Sequence, residues 1–118
     1  ANLTAYLSEQ LAATGALPVC ARHSGLAEVA GTLAAALRKR PETAPAAELT
    51  AFDLDREAVA AIATRLDSWL GLDPAARADA GAVLADTVRS RWSWEGVARS
   101  VLAASAGELD RLDAVPAA

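Results

Sequence analysis

The residues of this chain best suited to chemistry sit close together near its start: Glu9, Gln10, Cys20, His23, Ser24, Gly25 and Glu28. Cys20 and His23 are three positions apart, as metal ligands often are. Structural zinc takes about four protein ligands, and the chain holds no other Cys or His. No metal site is therefore expected, and the pair reads as a buried strand cysteine beside a hinge histidine. Ser24 follows His23, but an adjacent Ser and His without an orienting acid do not make a triad. No glycine-rich phosphate loop of the dinucleotide or P-loop type is present. Glu28 reads as a residue of a helix's first turn, where a carboxylate is favoured. No catalytic residue is assigned. "RKR" at 38–40 reads as a solvated helix end, and Trp92 and Trp94 as packing anchors.

The elements that must position these residues can be read from spacing and punctuation. Leu3, Tyr6, Leu7 and Leu11 recur at helical spacing over residues 2–14, and Gly15 can end that helix. "LPVCA" at 17–21 suits a short buried strand, with its proline placed early. Ser24 is a plausible N-cap for a helix whose apolar stripe is Leu26, Val29, Ala30, Leu33 and Leu37. Pro41 blocks its extension, and residues 41–48 read as an exposed loop. A second very short strand is expected over Leu49–Phe52.

Asp53 or Asp55 can start the next helix, with Val59, Ile62, Ala63, Leu66 and Trp69 or Leu70 along one side and Gly71 as its stop. Asp73–Pro74 is an N-cap followed by proline at the first helical position. That helix should run to about Arg89, with Val83, Leu84 and Val88 inward. Ser93 caps the last helix and Glu95 favours its positive end. Trp92 and Val97 have the spacing of a hydrophobic staple, and Val101, Leu102, Leu109 and Leu112 continue the stripe. Residues 114–118 read as a frayed tail.

Composition sets the class. The 118 residues fit one domain, 53% hydrophobic and 22% charged, which is a globular balance. Alanine makes up about a quarter of the chain, so a core built from it buries little area per residue. Leu, Val and three Trp are expected to carry that core. The net charge of −4 and the lack of a basic stripe argue against nucleic acid. No apolar run approaches the ~20 residues that span a bilayer, so no membrane is expected. No secretory signal is visible, one cysteine builds no internal disulfide, and the expected compartment is the cytoplasm. The fold class is α/β, predominantly helical, with one or two short strands and about five helices.

With these elements in place, the chain resembles the C-terminal part of a GT-B glycosyltransferase. The resemblance is to the bacterial retaining enzymes related to glycogen and sucrose synthases. Such enzymes carry a "G-x-P-V" strand, a hinge and "G-G-x-x-E-V". "GALPVCARHSGLAEV" fits this order, with Ser24 in place of the first hinge glycine. A "D-P-x-x-R" helix and a closing "R-[FW]-S-W-E-x-V-A" follow in the family. "DPAARADAGAVLADTVRSRWSWEGVARSVL" matches that order, and the resemblance spans positions 10–113.

The resemblance implies a partial Rossmann-like donor domain that helps hold a nucleoside-diphosphate sugar as substrate, with no further cofactor. By resemblance the donor-binding positions are Glu9, Gln10, His23, Ser24 and Gly25. The family places a ribose-contacting glutamate just before the strand. Counting back from Gly15 puts that position at Gln10, and a one-residue slip puts it at Glu9. The family's upstream acidic partner falls at Asn2 or Ala1, neither of which is acidic. GT-B transfer takes place in a cleft between two domains, so this segment alone is expected to be inactive. The alternative is a small, mainly helical interaction protein without catalytic activity. In either case an open strand edge and leftover apolar stripes lead to an expected homo-oligomer.

Overall fold

The computed structural model describes residues 3–112, the side chains from Ala5 onward. In chain order it places α1 (Leu3–Ala13), β1 (Cys20–Ala21), α2 (Ser24–Leu37), α3 (Ala44–Ala47) and β2 (Ala51–Phe52), then α4 (Ala58–Gly71), α5 (Pro74–Arg91), α6 (Trp94–Ser105) and a 3-10 turn, Leu109–Arg111. The fold is predominantly helical with one small sheet. The helices number six among the described residues, one more than the spacing predicts. The reading of residues 114–118 as a tail lies outside the described residues, as does the comparison with Ala1 and Asn2.

β1 and β2 pair in parallel, with Cys20 opposite Ala51 and Ala21 opposite Phe52. The Cys20 N–H donates to the Thr50 carbonyl at 2.8 Å and the Arg22 N–H to Phe52 at 2.9 Å. Parallel neighbours need a crossover, and α2 with α3 supplies it. The strand is shorter than residues 17–21 predict. β2 offers partners at Ala51 and Phe52 only, and Pro18 has no N–H to give. Leu17 packs against the main core instead. The side chain of Arg65, from α4, donates to the Ala51 carbonyl, which occupies an acceptor on β2.

α1, α2 and α5 enclose the core. Val29, Leu33 and Leu37 of α2 meet Ala80, Leu84 and Val88 of α5 and Ala5 and Ala12 of α1. The stripe expected on α1 is corrected: Ala5, Ser8 and Ala12 face inward, while Tyr6, Leu7 and Leu11 are exposed. Backbone proximity explains the reversal. The Gly15 turn, in the left-handed region at φ 86°, rests on Gly81 of α5, and at that separation only small side chains fit between the two helices.

Residues 41–48 are not an exposed loop throughout. They contain α3, and Thr43, Ala46 and Ala47 are buried. Burial of Thr43 is tolerated because its hydroxyl donates to the Leu37 carbonyl at 2.6 Å. "RKR" begins at the C-cap of α2, where Arg38 reaches Glu48 through Nε at 3.1 Å and Nη2 at 2.7 Å.

Neither Asp53 nor Asp55 caps α4. Asp55 makes a turn one step earlier by accepting the Glu57 N–H at 2.8 Å, and the helix starts at Ala58. α4 buries no residue, although Trp69 packs partly on the core. α5 begins as expected: Asp73 accepts the Ala75 N–H at 3.1 Å ahead of Pro74. It runs to Arg91, with Leu84 and Val88 buried.

α6 is capped as expected, with the Gly96 N–H donating to Ser93 Oγ at 3.0 Å. Its stripe, however, does not face the core. Gly96 and Ala103 are buried, whereas Val101, Leu102 and Leu109 are exposed. The helix stops before Leu109. Gly107 at φ 76° closes it, with its N–H donating to Ala104 at 3.1 Å and that of Glu108 to Ala103 at 2.9 Å, a Schellman end.

Candidate functional site

A groove of about 330 Å³ lies where α1, the start of α2 and the α5–α6 junction meet. α1 contributes Ala5, Tyr6 and Glu9, which share a face by their spacing. α2 contributes Gly25, Glu28 and Val29, and Trp92 closes the far side. The groove lies beside the carboxyl end of β1, because only Arg22 and His23 separate that strand from α2.

Its chemistry is that of two carboxylates against an aromatic wall. Partial burial, with a smaller contribution from the neighbouring Glu28 charge, pushes the Glu9 carboxyl above the ordinary glutamate range. A carboxylate pair of this kind accepts hydrogen bonds from hydroxyl donors. Gly25, the second residue of α2, brings the positive end of a helix dipole to the same groove.

The positions singled out by sequence separate in space. Glu9 and Gly25 line the groove together, whereas Gln10, His23 and Ser24 are exposed and are not among its lining residues. His23, not Ser24, holds the N-cap position of α2, and its side chain makes no capping bond. Ser24 is the first helical residue and sits at φ 54°, a conformation that favours glycine. Glu28 is corrected from a first-turn residue to the fifth residue of α2, facing the groove. Spacing held that signal, since Glu28 lies three residues after Gly25, as Glu9 does after Tyr6.

Cys20 and His23 occupy different surroundings. Cys20 is buried in a small cluster with Ala30 and Ala51, and its thiol reaches Ser8 Oγ at 3.7 Å. Burial, partly offset by that contact, pushes the thiol pKa up, which makes it a poor nucleophile. Among the described residues no three His, Cys, Asp or Glu side chains form a metal cluster. Trp92 packs partly on the core, but Trp94 is 89% exposed and anchors nothing.

A second hollow, of about 270 Å³, lies between α5 and α6 and includes Arg99 and Arg111. Both cations are already engaged, Arg99 by the Ser90 carbonyl at 3.0 Å and Arg111 by Glu108. The first groove is therefore the stronger candidate. Among the described residues no helix is long and apolar enough to cross a membrane. No protein-family model, curated protein or solved structure matches the chain.

Proposed function

We propose that this chain is part of a nucleotide-sugar-binding donor domain of the GT-B glycosyltransferase class, and that its groove holds the nucleoside-diphosphate portion of the donor. The observation that carries the reading is the meeting of Glu9 and Gly25 in one groove beside the carboxyl end of β1. Open α/β sheets bind ligands at that end of their strands. The left-handed backbone at Ser24 adds support, because the resembled motif has glycine there.

In this reading Glu9 accepts hydrogen bonds from the vicinal ribose hydroxyls. The α2 N-terminus at Gly25 faces the phosphates, and Tyr6 and Trp92 flank the ligand. Glu28 makes the other end of the groove negative, so the phosphates sit toward Gly25 and the hydroxyls toward the carboxylates. The segment binds and orients the donor without supplying a catalytic base. Alone, it transfers no sugar above background.

Calorimetric titration with adenosine and uridine diphosphates and their glucose esters tests the binding. The expected result is a dissociation constant of about 1 mM or tighter, weakened by Glu9→Gln and unaffected by Gln10→Ala. A folded protein that gives no binding heat at millimolar ligand would overturn the reading, as would binding insensitive to Glu9→Gln.

A second reading, a helical self-associating interaction protein, is favoured by one observation: α4 buries no residue. Self-association without nucleotide affinity would select it.

A further inference from the structure

α4 carries an apolar seam that the rest of the described chain leaves uncovered. Val59, Ala63, Leu66 and Leu70 are separated by four, three and four residues, the spacing of alternating seam positions in a coiled coil. Val59 is 82% exposed, Leu66 49% and Leu70 66%. The seam is also symmetric about the middle of the helix. Val59 is one residue from the first residue, Ala58, and Leu70 is one residue from the last, Gly71. Ala63 and Leu66 flank the midpoint at equal distance.

The charges beyond the two ends complete the pattern. Arg56 lies two residues before α4 and Asp73 two residues after it. Arg56 is exposed. Asp73 uses Oδ2 in its cap on Ala75, which leaves Oδ1 available.

We propose that α4 is a two-fold, antiparallel docking surface for a second copy of this chain. Laid antiparallel, Val59 of one copy meets Leu70 of the other and Ala63 meets Leu66, so every large seam residue is covered. Arg56, just ahead of the start of one helix, then lies at the same end of the pair as Asp73, just beyond the end of the other. A parallel arrangement would instead set Arg56 against Arg56 and Asp73 against Asp73. Charge complementarity therefore selects the antiparallel pair. The opposed helix dipoles add to that preference. Asp67 and Arg65 meet no like charge, since the positions opposite them are Ile62 and Thr64. Closed two-fold pairing is the commonest form of self-association and leaves no open end for further growth. The surface is separate from the Glu9–Glu28 groove, so the inference is independent of the nucleotide reading.

Sedimentation equilibrium from low to high micromolar protein tests the association, and directed cross-linking tests its geometry. The wild type is expected to sediment as a dimer at high concentration. Leu66→Glu should give a monomer with unchanged helical circular dichroism. Arg56→Glu should weaken the dimer several-fold, whereas Arg56→Lys should not. Val59→Cys protein mixed with Leu70→Cys protein should form the mixed disulfide on mild oxidation, while Val59→Cys alone forms little. These positions are exposed, so folding is preserved, and the native Cys20 is buried. A monomeric wild type would overturn the proposal. So would a Leu66→Glu dimer, or a Val59→Cys homodimer more abundant than the mixed species.

Discussion

Gly81 packs beneath the carbonyl of Gly15, so closely that a Cβ added to Gly81 would stand 2.9 Å from that oxygen. The contact joins the end of α1 to the middle of α5, the two elements that fix one wall of the core. Gly81→Ala must push backbone against backbone and is expected to cost about 1–3 kcal/mol. A Cβ added to Gly71 would meet nothing within 4 Å, and Gly71 has no positive φ. Gly71→Ala should be neutral or stabilising by about 0.5–1 kcal/mol. Urea midpoints of the two variants check both directions.

That contact also shows why part of the fold was legible and part was not. Caps are local, so Asp73–Pro74 and Ser93 could be read from neighbouring residues alone. The stripe on α2 was legible because Val29, Leu33 and Leu37 are large, apolar and inward. On α1 the same rule selects Leu3, Tyr6, Leu7 and Leu11; the side chain of Leu3 lies outside the described ones, and the structure turns Ala5, Ser8 and Ala12 inward in place of the other three. Close backbone approach selects small residues, and that approach depends on a contact between positions 15 and 81. α4 and α6 carry large apolar residues that the described elements leave exposed, which spacing cannot reveal. In the groove, Glu9 and Gly25 are legible through the family resemblance. Tyr6 and Trp92 enter only because the chain folds them beside α2.

Ser24 holds a left-handed conformation at φ 54°. A non-glycine residue there costs about 1–2 kcal/mol, partly offset by the greater freedom that glycine has in the unfolded chain. Ser24→Gly is expected to stabilise by about 0.5–1 kcal/mol, and Ser24→Val to destabilise. Thermal melts of both variants test the sign. A destabilised Ser24→Gly would contradict the strained hinge.

The two tryptophans near the start of α6 should respond differently. Trp92 is partly buried against the core, and Trp92→Ala is expected to cost about 2–3 kcal/mol, less than full burial would give. Trp94 is 89% exposed, so Trp94→Ala should stay within about 0.5 kcal/mol of wild type. Denaturant titration of both proteins decides the order.

Glu9 carries a raised pKa, from burial first and Glu28 second. The folded state therefore binds the Glu9 proton more tightly than the unfolded state does. Stability is lost as pH rises from the ordinary glutamate value through the raised one. Glu9→Gln should raise the urea midpoint at neutral pH, and this advantage should disappear below the ordinary glutamate range. An advantage that persists unchanged in acid would contradict the desolvated carboxylate.

The groove's role is tested most directly by amide chemical-shift mapping of the folded chain during titration with a nucleoside diphosphate and its glucose ester. The account predicts saturable shifts centred on Tyr6, Glu9, Gly25, Glu28 and Val29, lost in Glu9→Gln and retained in Gln10→Ala. Shifts confined to other surfaces, or none at millimolar ligand, would contradict it.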